Sequence, residues 1–218
     1  MEKTIRKIST ISLVLTVTWL IFTIISMSQV LPSWTDFDYI IWASQPDIFY
    51  LVNYINVTLL TFMVIALFTV LFIHILEINK IMAFLGIVFI PIYGIMNIIC
   101  YSIQINIVPL IAKKALNTSD GLLFVSQLIQ ANSNSIIGFI NGLAYSILGI
   151  TSFIYGYVLI KNFKKGSGLS LIINGILCII GIIGYILKNE IISMGIILGG
   201  ISFLVGLMFM VLDFRKKS

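Results

Sequence analysis

The stretch IMAFLGIVFIPIYGIMNIICYSIQINIVP, from Ile81 to Pro109, is apolar enough to sit in lipid, yet Pro91 interrupts it and it carries Tyr93, Asn97, Cys100 and Gln104. At about 100° per residue, those four side chains fall on one face of a helix. A polar face in hydrocarbon has to turn toward protein or trapped water, since lipid offers its groups no hydrogen bonds. The stretch therefore reads as a membrane span packed among other spans. Pro91 removes a backbone donor and crowds the preceding turn, so a kink is expected there, with a freed carbonyl in need of another partner.

The rest of the chain fits that reading. Of 218 residues, 60% are hydrophobic and 10% charged, and the mean hydropathy is +1.13. Soluble domains carry about 25% charged residues. So little charge cannot cover a water-facing surface. A hydrocarbon core of about 30 Å needs about 20 apolar helical residues, and six runs qualify: 8–30, 49–75, 81–108, 135–160, 169–187 and 191–212. The runs are far longer than the roughly 10-residue alternating strands of a membrane barrel. The expectation is an all-α, polytopic bundle of six transmembrane helices forming one domain over 1–218, its spans joined mostly by short connections.

Charge placement orients the bundle. With a cytoplasmic N-terminus, ten Lys and Arg residues fall in inner segments, and only Lys113, Lys114 and Lys188 in outer ones. That bias places both termini in the cytoplasm. It also accounts for the net charge of +5 without nucleic acid, because no basic helix interleaved with aromatics is present. The first run is too long for a signal-peptide core of about 7 to 15 residues, so it is expected to remain as a span.

The absences narrow the chemistry. All eight acidic residues lie in loops or at span ends, which disfavours proton or cation pumping through a buried carboxylate. With His74 alone, no bis-histidine haem site can form. A zinc-protease motif and a glycine-rich phosphate loop are both missing. No catalytic residues, metal or cofactor are expected, and the protein is expected not to be an enzyme. Cys100 and Cys178 lie inside apolar runs, where nothing demands a disulfide. Asn117-Thr118-Ser119 matches a glycosylation sequon that matters only in a eukaryotic secretory pathway.

What remains is a set of amides and phenols. Counting about 1.5 Å per residue from the outer span ends, Gln104, Asn56 and Asn141 lie within roughly 10 Å of the surface, with Asn97 a little deeper. Asn53, Tyr101, Asn134 and Tyr185 lie above or beside them, and Tyr93 and Tyr145 share the stripes of the third and fourth spans. Such groups can bond one another between helices, or line an uncharged cavity in the outer half of the bundle. The first outer loop, with Trp34, Asp36, Asp38 and Trp42, reads as a lid or short interfacial helix whose rings sit at the interface while its carboxylates face water. Gly166-Ser167-Gly168 reads as a flexible turn. Gly195-x-x-x-Gly199 serves either packing within the bundle or a homodimer.

A basic N-terminus, an aromatic and acidic first outer loop, and a last pair of spans following the Lys-rich turn 161–170 form a layout. It resembles prokaryotic six-helix membrane families of the domain-of-unknown-function type. The resemblance implies no activity and assigns no functional residue. The expected function is binding of a lipid, a small amphiphile or a partner membrane subunit through the uncharged cavity, with transport of an uncharged solute as the alternative. The expected partners are the bilayer, such a ligand, and a second copy or another membrane protein. A prokaryotic plasma membrane is the expected location.

Overall fold

The computed structural model describes residues 1–28, 35–116, 119–132 and 134–215. Trp34 and the Asn117-Thr118 pair of the sequon lie outside the described residues. Among those described, every regular element is a helix. They run α1 (Glu2–Met27), α2 (Asp36–Ser44), α3 (Ile48–Leu76), α4 (Lys80–Ile87), α5 (Phe89–Asn106), α6 (Val108–Ala115), α7 (Ser119–Ser126), α8 (Ile136–Lys161), α9 (Lys165–Ile186), α10 (Glu190–Ser193) and α11 (Gly195–Asp213). Six helical stretches are long and apolar enough to cross a membrane: Glu2–Met27, Ile48–Leu76, Lys80–Asn106, Ile136–Lys161, Lys165–Ile186 and Ile191–Asp213. The basic N-terminal stretch joins the first helix, which starts six residues before the apolar run at Ile8.

The third of these stretches is two helices in near-continuity. Pro91 cannot donate to the carbonyl four residues back at Ile87, and α4 ends at that residue. Neighbouring carbonyls find hydroxyl donors on α8: Thr151 Oγ1 donates to Gly86 O at 2.8 Å, and the Tyr155 hydroxyl to Ala83 O at 3.0 Å. These two bonds hold the turn before the proline from another helix. Pro109 acts likewise at the far end, where α5 stops at Asn106 and α6 begins at Val108.

The residues group into two units, and α1, α3, α5 and α8 contribute to both. The first comprises Met1–Val14, Thr61–Ile95 and Gly142–Ser218; the second comprises Leu15–Leu60 and Met96–Asn141. Within the first, α9 and α11 lie so close that a side chain at Gly181 would begin 2.5 Å from Ile196 N, and one at Gly195 would begin 2.6 Å from Leu177 O. No residue larger than glycine fits such an approach. Gly195 and Gly199 are therefore packing contacts within the chain. Phe68 fills the same unit's core, with its ring 5.9 Å from Tyr155 and 6.3 Å from Phe203.

The Gly166-Ser167-Gly168 segment is the first turn of α9 rather than a loop. Its start is capped from α11, since Asp213 Oδ2 accepts from both Ser167 N (3.0 Å) and Ser167 Oγ (2.8 Å). A carboxylate at a helix N-terminus meets free N–H groups and the positive end of the dipole. The actual turn is Asn162–Lys164.

The second unit holds three short helices beside its spans, with α2, α6 and α7 in mutual contact. α2 opens with a capping box: Thr35 Oγ1 accepts from Asp38 N, and Asp38 Oδ2 accepts from Thr35 N at 2.8 Å. This satisfies two end-of-helix donors reciprocally. Behind α2 runs a ladder of rings, with Trp42 4.8 Å from Tyr50, Tyr50 4.9 Å from Tyr54, and Tyr54 6.3 Å from Tyr101. Edge-on and tilted geometries of this kind suit aromatic quadrupoles. Ile40, Ala43, Val108, Ala112, Val125 and Ile129 close the cluster.

Candidate functional site

The polar face of α5 is buried along its length. Tyr93, Asn97, Cys100 and Gln104 are each at most 2% exposed, as the helical spacing requires. In the second unit, Gln104 bridges the helix to the segment 127–132 that follows α7. Its Nε2 donates to Leu128 O at 2.8 Å, and its Oε1 accepts from Gln130 N at 3.1 Å. A single amide thus satisfies two backbone groups of a non-helical segment, which would otherwise be orphaned inside the protein. Tyr50 adds a bond from its hydroxyl to Gln104 O at 3.1 Å.

Through that segment, Gln130 enters a chain of amides. The Tyr54 hydroxyl donates to Gln130 Oε1 (3.4 Å), Gln130 Nε2 to Asn141 Oδ1 (3.0 Å), and Asn141 Nδ2 to Asn97 Oδ1 (2.7 Å) and to the Tyr101 hydroxyl (3.1 Å). Every member is neutral. Because an amide presents a donor and an acceptor of nearly equal shape, the three amides can all turn over and keep each contact with its direction reversed. In both directions one polar atom of Asn97 is left over. In the arrangement described above it is Nδ2, which is fully buried and unpartnered.

Asn97, Tyr101, Gln104 and Asn141 are therefore brought together. The other sequence candidates have separate surroundings. Asn53 and Asn56 turn to α1 instead, where Asn53 Oδ1 accepts from Thr23 Oγ1 at 3.0 Å, and Asn56 Nδ2 donates to Thr18 Oγ1 at 2.9 Å. Tyr93 and Tyr145 belong to the first unit, with ring centroids 6.0 Å apart. Tyr185, in the same unit, packs its ring 3.5 Å from where a side chain at Gly142 would begin. Asn134 is exposed, because the turn before α8 does not continue the helical repeat on which its assignment rested.

The lid residues are also specific. α2 is the short helix expected of this loop. Asp38 is 8% exposed rather than water-facing, since the capping box holds it inward. Trp42 is equally buried, and its Nε1 donates to Ser26 Oγ at 3.1 Å. Asp36 is exposed and accepts from Asn132 Nδ2 at 2.9 Å, tying α2 to the same 127–132 segment that carries Gln130.

Gln130 and Asn132 were not among the sequence candidates, because they lie in a segment without periodicity. Tyr50 and Tyr54 carry a legible signal, since their i, i+4 spacing puts both on one face of α3. Among the described residues, no three His, Cys, Asp or Glu side chains gather in a way that could hold a metal ion. Both thiols are free and buried. His74 stands edge-on to Phe214, with centroids 5.4 Å apart.

The fold and the site together define a class: an all-helical integral membrane protein with six candidate spans and an uncharged, buried amide network. The chain matches no protein family, no curated protein and no solved structure.

Proposed function

We propose that this protein works by binding rather than by bond chemistry. Its ligand is a neutral hydrogen-bonding group from a lipid, a small amphiphile or a partner membrane subunit, taken up at Asn97 in the second unit. The observation that carries the reading is the leftover polar atom of Asn97, buried at the end of an otherwise paired network. A buried unpaired amide group costs about 1 to 3 kcal/mol, and a ligand group bonded to it recovers that cost. Because no charged group joins the network, a neutral ester, hydroxyl or backbone amide suits it better than an ion.

In this reading both termini are cytoplasmic, which puts the amide network toward the outer leaflet, and the membrane is a prokaryotic plasma membrane. Native mass spectrometry of protein released from mild detergent tests the assignment. Wild type is expected to retain a neutral lipid or amphiphile that Asn97→Leu loses, with both proteins folded. Equal retention in the two would overturn it. Flux of small neutral solutes into reconstituted vesicles is expected at the protein-free background; flux abolished by Asn97→Leu together with Asn141→Leu would establish the transport alternative instead.

A further inference from the structure

We propose that Phe163 is a membrane-surface anchor that, with Lys161 and Lys165, engages the anionic phospholipid headgroups of the leaflet it faces. The inference concerns the first unit and is independent of the amide network.

The turn between α8 and α9 closes with two reversed bonds. Lys164 N donates to Leu159 O at 3.0 Å, and Phe163 N to Ile160 O at 3.2 Å. This pattern requires a left-handed residue between helix and exit, a position that usually falls to glycine. Here it is Phe163, at φ 63°. A bulky side chain in that region carries a steric cost that glycine avoids. The ring does not recover the cost by packing, since at 88% it is the most exposed large apolar side chain among the described residues. Neither the backbone nor the core selects phenylalanine here, which leaves the surrounding medium.

The companion turn after α9 sharpens the point. Asn189 N donates to Gly184 O at 2.9 Å and Lys188 N to Tyr185 O at 3.2 Å, with Lys188 left-handed at φ 52°. The same geometry is filled there by an exposed, hydrated side chain. An aromatic ring is thus not a demand of the motif.

The base under Phe163 is firm and its surroundings are positive. Lys164 turns inward, donating to Glu2 Oε1 at 3.0 Å and to Asp213 O at 2.6 Å, with its ammonium 4.6 Å from the centre of the Phe214 ring. It thereby links the start of α1, the turn and the end of α11. Glu2 is engaged by this lysine and Asp213 by the Ser167 cap, while Glu77 stays exposed. Lys161 and Lys165, two residues before and after Phe163, are exposed and have no acidic partner among the described residues, and the Lys161 ammonium lies 5.6 Å from the centre of the Tyr157 ring. An aromatic ring flanked by ammonium groups matches the boundary between acyl chains and anionic headgroups. The rings settle at the level of the headgroups, and the lysines reach outward from their apolar stems.

The test uses the full-length protein in vesicles of phosphatidylcholine alone and of an equimolar mixture with phosphatidylglycerol. Because Cys100 and Cys178 are buried, a nitroxide on F163C reports that site. Its collision rate with oxygen is expected to exceed that with a water-soluble nickel chelate, more so in the anionic vesicles. In parallel, F163G is expected to unfold in neutral detergent no earlier than wild type. The rise in its unfolding midpoint on adding phosphatidylglycerol is expected to be at least about twofold smaller than the wild type's, with F163W restoring it. A nitroxide in bulk water in both vesicle types would overturn the proposal. So would an F163G midpoint that rises as much as wild type, or one already lowered in neutral detergent.

Discussion

The two units bury polar residues in different ways. In the first, side chains reach past glycines to backbone carbonyls of neighbouring helices. Ser146 Oγ donates to Cys178 O, Thr151 Oγ1 to Gly86 O, Tyr155 to Ala83 O, Asn174 Nδ2 to Gly199 O and Ser202 Oγ to Ser170 O, all between 2.8 and 3.0 Å. Each such bond is local and independent, and its acceptor is fixed by the helix. In the second unit the side chains bond mainly to one another and to a non-helical segment, so that each bond depends on the next. The first arrangement is glue between helices. The second is a network in which the loss of one bond exposes the next.

The largest expected effect comes from breaking the close approach in the first unit. Gly181→Val puts a side chain 2.5 Å from Ile196 N, and backbone cannot yield as a flexible side chain can. A loss of about 3 kcal/mol or outright failure to fold is expected, the upper end for overpacking, as measured by unfolding in mixed micelles. Next is Gln104→Leu, which strips partners from both Leu128 O and Gln130 N. It should cost about 2 kcal/mol and speed amide hydrogen exchange across 127–132. Exchange unchanged in that segment would show that it does not depend on the network.

Asn141→Leu removes an amide with three partners and should cost between about 1 and 2 kcal/mol, whereas Asn97→Leu removes one bond together with an unsatisfied atom and should be close to neutral. Equal losses at the two positions would mean that Asn97 is as fully paired as Asn141. The smallest effect is expected for Thr151→Val. It deletes a single side-chain to backbone bond and should cost about 0.6 kcal/mol, the average for interhelical hydrogen bonds in membranes. A loss several times larger would show that the break before Pro91 relies on that hydroxyl.

Much of this arrangement was legible in the chain because two signals are strong in membrane sequences. Apolar runs of span length locate the helices, and polar residues at helical spacing point inward; the burial of Tyr93, Asn97, Cys100 and Gln104 follows from their angles alone. The partners of that face were less legible. Spacing shows that Asn56 and Asn141 point into the protein but not toward which helix, and Asn56 turned to α1 while Asn141 met Asn97. Gln130 and Asn132 reach the site from a turn whose path no periodicity encodes. Gly166 and Gly168 suggested a turn on composition, yet they permit close approach inside α9, while Phe163 takes the left-handed position. A glycine can be selected by space as well as by φ, and the sequence does not distinguish the two.

The reversibility of the amide chain bears on selectivity. In one direction Asn97 presents a proton, and in the other a lone pair; the same pairs of residues stay in contact either way. Under the binding proposal, such a terminus is ambidextrous toward its guest, meeting an ester carbonyl or a hydroxyl hydrogen alike. On that proposal, hydrogen-bond polarity at Asn97 does not by itself tell one neutral guest from another.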